Sequence, residues 1–526
     1  MKIAGLQSSH DCSFVVLDNG VPEIHAELER YIRLKEPTGD AFEFLKENYP
    51  DYEDIKYFSR PLDIWKGGPA AWYPRSTIEM KSISNKNGGK LLTVGHHKCH
   101  AANVFYSSNF DDALIVTIDG GGWEKQGSEY VPATFTIWEG RGNKLVPLAF
   151  YLEKEFNIGS FWANCTEHIF GLSRGYPKGN QCGTVMALAC MGDSNKYYKD
   201  FWNHQFKHHG FDYTRFKKIV QKSEQEMFNV ASALQKATED FIRKMLDPFV
   251  KKTGSKNLCL AGGVVLNSVM SGKIVEEWYS EEFNNFYTCP VPYDAGTPIG
   301  AAQFIWHGHL DNPRITWEDN FTPFMGVKYG LTEIKCAIAE FNVEAEEQVD
   351  IKKVVELLKT QNIISVFNQG SESGRRALGN RSILADPRSA GMKDLINEKV
   401  KHRQWFRPFA PSILREEMSE WFQTDMDSPY MNFVLKFKEE VTKKVPAVVH
   451  FDGTGRVQTV TEKDNQWYHN LLTEWKIQTG VPILLNTSFN DREPIVETPQ
   501  NAINCFLNTN IDYLYFCDYN ILVSKK

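Results

Sequence analysis

The chain has 526 residues, 42% of them hydrophobic and 24% charged, with a formal net charge of -7. That length exceeds what one hydrophobic core supports, so two or more domains are expected, and the composition excludes a disordered or fibrous chain. The acidic balance removes any general pull toward DNA, RNA or anionic lipid, although a local basic groove remains compatible with it.

Residues 3–6 and 14–17 are apolar runs that predict two strands joined by the polar loop 7–13, with Asn19-Gly20 as the next turn. The pattern recurs. The β-branched run 113–118 predicts a strand ending in the loop Asp119-Gly120-Gly121-Gly122, followed by a strand over 133–138. Two such loops between strands suggest a duplicated fold. From 226 to 250, Val230, Leu234, Ala237, Phe241 and Met245 recur at steps of three and four and predict a helix, which feeds a strand over 258–261 closing on Gly262-Gly263. Hairpins, long helices and glycine-terminated strands in this order predict an α/β protein with ligands at the strand ends.

The stretch 311–329, rich in Pro, Asn, Thr and Gly, weakens the periodicity and puts the boundary between domains 1–343 and 344–526. Beyond it the pattern predicts a helix over 354–358, a strand over 363–367, a loop over 372–388, and strands over 481–485 and 513–516. No low-complexity tract is present. The 10 cysteines contain no CxxC pair, which excludes a zinc knuckle or thioredoxin motif and predicts reduced, mostly buried thiols. With no signal-peptide core and no apolar run long enough for a bilayer, a cytoplasmic protein with no membrane partner is expected.

The loop 372–388 carries Arg375, Arg376, Arg381 and Arg388 together with Gly374 and Gly379. Arginine forks match phosphate or carboxylate oxygens in pairs, and glycine admits a ligand close to the backbone, so a polyanion site is expected. Lys401, His402, Arg403, Arg407 and Arg456 form a second basic group, and several of these residues sit beside Gly or Pro rather than along a solvated charged face. Asn486 and Ser488, right after a strand, add small polar side chains where an α/β ligand site lies.

His96 and His100, four apart at the start of an alanine-rich segment, face one side of a helix and can share a metal ion; a bare pair so spaced more often caps a helix and hydrogen-bonds the backbone. Asp119 and Asp294 offer carboxylates, and such mixed ligation suits iron, manganese or zinc. Gly120, Gly121, Gly122, Gly262 and Gly263 either expose amides to a nucleotide or make tight turns. Asn267 either bonds a ribose or caps the next helix. His10, beside Asp11 in the first loop, is a candidate general base or an ordinary surface residue.

Taken together, residues 5–13, 96–108, 118–122, 260–267, 294–302, 372–388, 406–414, 452–460 and 485–496 resemble, in order and approximate spacing, the O-carbamoyltransferases of the NodU/CmcH family. The antibiotic enzymes of tobramycin and cephamycin biosynthesis belong to it. The resemblance implies an amino-terminal domain of the actin-like ATPase superfamily, related to the tRNA threonylcarbamoyladenosine transferase and with duplicated halves, and a carboxy-terminal YrdC-like α/β domain. It implies that carbamoyl phosphate and ATP, the latter with Mg2+, yield carbamoyladenylate, whose carbamoyl group passes to an acceptor hydroxyl of a small molecule.

Carried over by position, His96, His100, Asp119 and Asp294 hold a divalent metal, iron in particular, while Arg376, Lys401, Arg407, Arg456 and Arg492 bind carbamoyl phosphate and the ATP phosphates. His10 is then the base, and Lys35 matches a basic family position that contacts substrate or carbamoyl. Two departures stand out. Thr184 replaces a family lysine in Cys182-Gly183-Thr184-Val185-Met186, and Asn490-Asp491-Arg492-Glu493-Pro494 lacks a glycine. An actin-like ATP-binding chaperone is the rival reading, but it leaves the second domain's arginines unexplained. The same chemistry on a hydroxymethylated pyrimidine of a nucleotide or DNA is a further alternative, disfavoured by net acidity. A homodimer is compatible with the sequence, and residues 123–224 are expected to shape the acceptor pocket.

Overall fold

In the computed structural model, which describes residues 1–65, 68–69, 73–172, 181–207, 209–315 and 322–526, the strand β1 (Lys2–Gln7), buried from Ile3 onward, pairs antiparallel with β2 (Ser13–Asp18). β2 turns through Asn19 and Gly20 into β3 (Val21–Glu27). Both turn residues have positive φ, 49° and 84°, the backbone twist a two-residue hairpin needs and that Asn-Gly adopts at little strain. On its other edge β1 runs parallel to β4 (Ile55–Pro61), and β4 to β5 (Leu91–Val94), giving the order β3-β2-β1-β4-β5.

The same plan is repeated by β6 (Asp112–Gln126), β7 (Glu129–Arg141), β8 (Lys144–Leu152), β9 (Asn257–Ala261) and β10 (Asn285–Tyr287), in the order β8-β7-β6-β9-β10. Again the first three strands are antiparallel and the last two join in parallel. The duplicated halves expected of an actin-like ATPase superfamily domain are therefore present. One local expectation fails: residues 119–122 are not an inter-strand loop. β6 continues to Gln126, and a register shift between Ile118 and Gly122 bulges Asp119, Gly120 and Gly121 out of the ladder.

Four helices matter for the site. They are α1 (His96–Ser107), α2 (Ile158–His168), α3 (Glu224–Val250) and α4 (Thr297–Gln303). Ser223 caps α3 by accepting the Glu226 amide at 3.2 Å, and its buried face carries Val230, Leu234, Ala237 and Phe241 as the spacing predicts. Each large apolar side chain buried this way contributes about 1.5–3 kcal/mol. α1 and α4 pack at backbone contact: a Cβ on Gly300 would come within 1.8 Å of the Cys99 carbonyl oxygen, and one on Gly5 within 2.0 Å of the Pro298 carbonyl oxygen. Glycine at these positions lets α4 press on α1 and β1.

The chain divides into two units, Met1–Met270 with Glu277–Phe321, and Ser271–Glu276 with Thr322–Lys526. The division after residue 321 falls earlier than 343/344. The reason is that β11 (Val343–Glu346) and the helix Leu331–Glu340 before it pack into the second unit. That unit is built on β11, β12 (Ile364–Phe367), β13 (Arg381–Ala385), β14 (Ala410–Leu414), β15 (Gln458–Val460), β16 (Ile483–Ser488), β17 (Tyr513–Phe516) and β18 (Ile521–Lys525). Their order is β11-β18-β17-β12-β13-β16-β14-β15. The arginine segment is a loop only up to Asn380, because Arg381 opens the strand β13; Asn486 and Ser488 likewise lie within β16 rather than after it.

All ten cysteines are free, seven of them buried. No helix among the described residues is long and apolar enough to cross a membrane. Residues 173–180, within the segment expected to shape the acceptor pocket, and 316–321, within the expected linker, lie outside the described residues.

Candidate functional site

α1 begins at His96, so its four-residue spacing brings the His96 and His100 imidazoles to one side, with Nε2 atoms 3.2 Å apart. Asp119 arrives on the β6 bulge and Asp294 on the short turn Asp294–Gly296 that leads into α4. His100 Nε2 lies 2.7 Å from Asp119 Oδ2 and 3.4 Å from Asp294 Oδ1, and His96 Nε2 lies 3.6 and 3.4 Å from the same two atoms. The four ligand atoms fall within 4.8 Å of one another. These side chains keep at most 14% of their surface.

The donor set fits a divalent cation. Two imidazole nitrogens face each other at hydrogen-bond distance between two carboxylates, and the buried Asp119 Oδ2 makes no well-aligned hydrogen bond among the described residues. Electrostatics tell the same story. Burial disfavours imidazolium at His96 and His100, but Asp119 and Asp294 outweigh it and hold both pKa values above the ordinary histidine range. Burial also disfavours the carboxylates, yet the histidines hold Asp119 down at about 2 and Asp294 well below its usual range. One shared cation would neutralise both carboxylates and take the imidazoles as neutral ligands.

Beside this cluster stands His10. Its Nε2 is 3.3 Å from Asp294 Oδ2 and its Nδ1 is 3.1 Å from Asp11 Oδ2, while 42% of its side chain stays in contact with solvent. Asp11 has a φ of 56°, uncommon for a residue with a side chain. Burial lowers the His10 pKa, but the charges of Asp294, Asp11 and Asp119 raise it to about 9. His97, between the two ligands in sequence, has a different place: Nδ1 meets Thr117 Oγ1 at 2.7 Å and Nε2 meets the Ala133 carbonyl at 2.9 Å. Burial and the neighbouring His96 and His100 push its pKa down to about 3, so it is a neutral tie between α1 and the sheet.

The glycines differ in what surrounds them: Gly122 and Gly262 meet close neighbours, whereas a Cβ on Gly121 would meet open space. Gly120 donates to Asp119 Oδ1 at 2.6 Å and its carbonyl accepts from Asn157 and Ser160 at the start of α2. A Cβ on Gly122 would come within 2.3 Å of the His96 ring, and one on Gly262 (φ 94°) within 2.2 Å of the Ile118 carbonyl oxygen. Gly263 lies beside Asp119, where a Cβ would approach Oδ1 to 3.1 Å. Asn267 caps the following helix by accepting the Met270 amide at 3.1 Å, and exchanges two hydrogen bonds with Gln235. The capping alternative therefore holds for Asn267. Lys35 is half-buried in the segment after the helix Leu28–Ile32, and Thr184 Oγ1 is buried without a hydrogen-bond partner among the described residues.

In the second unit the arginines separate by environment. Arg381, expected at the polyanion, is fully buried and turned to the main chain instead: it donates to the carbonyls of Asn368, Asn380 and Gln369 at 2.6, 3.0 and 3.0 Å and stacks over Phe367. Arg388 is committed to Asp386. Asn486 is also structural, donating to Ala377, Ser412 and Gln458. Arg456 is different. It keeps some accessible surface, but its buried Nε has no partner among the described residues, and burial with Arg376, Arg403 and Arg407 nearby pushes its pKa well below the arginine range.

Arg403, absent from the sequence-derived ligand set, belongs to this cluster; it donates to Asn397 Oδ1 at 2.7 Å and lies over Phe409. Lys401 is docked on the end of β16 by Ser488 and by Asn490, whose carbonyl and Oδ1 it meets at 2.8 and 2.7 Å. Exposed Arg492 donates to the His402 carbonyl at 3.3 Å. The arginine loop itself is organised by Glu372, which sequence reasoning gave no role: its buried Oε1 accepts from the amides of Leu378, Asn380 and Arg381 at 2.8, 2.8 and 3.0 Å. An acidic residue inside an arginine-rich segment was the available signal.

Two family models match the chain, Carbamoyltransferase N-terminus over residues 71–303 and Carbamoyltransferase C-terminus over residues 355–524. An uncharacterized protein of Synechocystis is 30% identical, covering 92% of this chain and 85% of its own. Nodulation protein NolNO of Sinorhizobium fredii is 33% identical over 89% of this chain and 68% of its own, and nodulation protein NolO of Bradyrhizobium diazoefficiens is 33% identical over 80% and 77%.

Proposed function

The chain belongs to the carbamoyltransferase family, and from that premise we propose that it is an ATP-dependent O-carbamoyltransferase in which the two units perform successive steps. The second unit, YrdC-like in this reading, makes carbamoyladenylate. Carbamoyl phosphate and water give carbamate and inorganic phosphate. A carbamate oxygen then forms a bond to the α-phosphorus of ATP, the bond to the β-phosphate breaks, and pyrophosphate leaves with Mg2+. The observation that carries this reading is the buried Nε of Arg456, which has no hydrogen-bond partner among the described residues and lies near Arg376, Arg403 and Arg407, an arrangement suited to a bound polyanion. Lys401, Arg407 and Arg492 supply further positive charge.

In the first unit an acceptor hydroxyl oxygen attacks the carbamoyl carbon, the bond to AMP breaks, and AMP leaves. His96, His100, Asp119 and Asp294 would hold a divalent metal, iron in particular, which when bound supplies Lewis-acid stabilisation of the developing charge. His10 combines contact with Asp294 and Asp11 with an open face to solvent, which suits it to orient the acceptor hydroxyl; a cation held by Asp119 and Asp294 would offset the negative charge that raises its pKa to about 9, leaving a neutral imidazole to take the proton. Lys35 contacts the carbamoyl group in this reading. The acceptor is a hydroxyl compound.

Pyrophosphate release by metal-replete protein tests the first step. It is expected to require both carbamoyl phosphate and ATP. Release that proceeds equally well without carbamoyl phosphate sinks the proposal. A screen of hydroxyl compounds, hydroxymethylated nucleosides and DNA for a carbamoyl mass increment then identifies the acceptor.

A further inference from the structure

α1, the helix that carries both histidine ligands, is gripped at each end by a side chain from elsewhere in the first unit. At its C-terminal end the carbonyls of Phe105 and Ser108 accept from Arg314 Nη2 at 2.9 and 3.1 Å. At its N-terminal end the carboxyl group of Glu124, 2% exposed, accepts the Lys98 amide through Oε1 at 2.7 Å. Its other oxygen lies against Gly95, where a Cβ would come within 2.0 Å of Oε2. A carboxyl oxygen at the first turn and a guanidinium at the last satisfy an amide and carbonyls that have no partner within the helix.

The placement of Glu124 does more than cap. It stands on β6, the strand that presents Asp119, and it accepts the Lys98 amide in the first turn of α1 while packing against Gly95, the residue before His96. Between the two, Gly122 passes so close to the His96 ring that no side chain fits. Glu124 thus spans the strand that bears one ligand and the helix that bears two. A fraction of a turn of rotation or slip along α1 would pull His96 and His100 away from Asp119, and ligand constellations tolerate displacements of only about 0.5 Å.

We infer that Glu124 is a positioning residue for the metal centre, setting the register of α1 on β6 so that the four ligand atoms converge. It touches neither substrate nor ion. The inference rests on the metal reading of the His96, His100, Asp119 and Asp294 cluster given above.

Titration of the full chain with Co2+, read by its visible d–d absorption and by chelator competition, with thermal unfolding measured in parallel, tests it. Glu124→Ala is expected to lose about 10–100-fold in Co2+ affinity and to change the absorption envelope, as removal of a residue that orients ligands does. Glu124→Gln, which keeps one oxygen for the Lys98 amide but turns an NH2 donor toward the remaining first-turn amides, falls between it and the unaltered protein. Arg314→Ala releases the opposite end of α1 and is expected to lower thermal stability without a comparable loss of Co2+ affinity.

The inference is overturned if Glu124→Ala binds Co2+ with unaltered affinity and spectrum, or if Arg314→Ala loses as much affinity, since helix stability rather than register would then set the site. Should Glu124→Ala not fold, Glu124→Gln against Arg314→Ala decides by the same criterion. Failure of the unaltered protein to bind Co2+ refutes the metal reading and this inference with it. Binding by the unaltered protein with unchanged variants refutes only the inference.

Discussion

Glu372→Ala separates two explanations of the arginine loop, a segment held in shape by its own carboxylate and a segment shaped only by its ligand. The side chain is fully buried, and one oxygen accepts three main-chain amides, those of Leu378, Asn380 and Arg381. Hydrogen bonds to a charged group contribute about 1.5–3 kcal/mol each, and a buried amide left without a partner carries a penalty of similar size. The three bonds share one acceptor and are not independent, so the expected local destabilisation is about 3–5 kcal/mol rather than their full sum. At about 1.36 kcal/mol per decade this corresponds to roughly 10^2–10^4-fold faster amide exchange in the loop.

Hydrogen exchange followed by mass spectrometry on peptides covering residues 372–388 measures this directly, without ligand. Glu372→Gln keeps an acceptor oxygen of the same reach, so its exchange is expected to rise by a smaller factor than that of Glu372→Ala. Binding of carbamoyl phosphate should weaken in the same order as the loop loosens. Exchange in Glu372→Ala within about tenfold of the unaltered protein, a difference of about 1.4 kcal/mol, would refute the reasoning, because three buried amides cannot lose a carboxylate that cheaply.

His100→Ala should abolish carbamoyl transfer while pyrophosphate release persists, because His100 lies in the first unit's cluster; equal loss of both steps contradicts the division of labour. Arg456→Gln should raise the thermal midpoint of the ligand-free protein by removing an enclosed like charge, and at the same time suppress pyrophosphate release. A lowered midpoint would mean that the arginine cluster is stabilising in itself. Gly262→Ala puts a side chain at φ 94° and 2.2 Å from the Ile118 carbonyl oxygen, so soluble yield and midpoint should both fall, with a loss of about 2 kcal/mol or more. Retention of both would show that β9 can shift away from β6.

Much of the fold is legible in the sequence because its signals are local. The strand edges around 7–13, the Asn19-Gly20 hairpin, α3, the strand Tyr513–Phe516 and the four-residue spacing of His96 and His100 all follow from side-chain periodicity and turn chemistry over a few residues. The family resemblance, carried by motifs in order along the chain, reached the carbamoyltransferase assignment. The continuation of β6 through three glycines was not legible. Glycine looks like a turn residue, and only the ladder to β7 on the far side of the bulge keeps the strand going.

The sequence by itself determined which residue types were available: histidines and aspartates for a cation, arginines and a lysine for a polyanion. Tertiary structure alone decided which of them face a common point. Asp294 reaches His96 and His100 because α4 packs on α1 through Gly300, and Glu124 meets the start of α1 because β6 runs beside it. The arginines make the point most clearly. Arg381 and Arg456 are chemically identical, yet one is consumed by four main-chain carbonyls and the other has a buried Nε without a partner among the described residues, near like charges. A side chain's hydrogen-bond partners and local potential are set by segments distant in sequence, so no local pattern carries them.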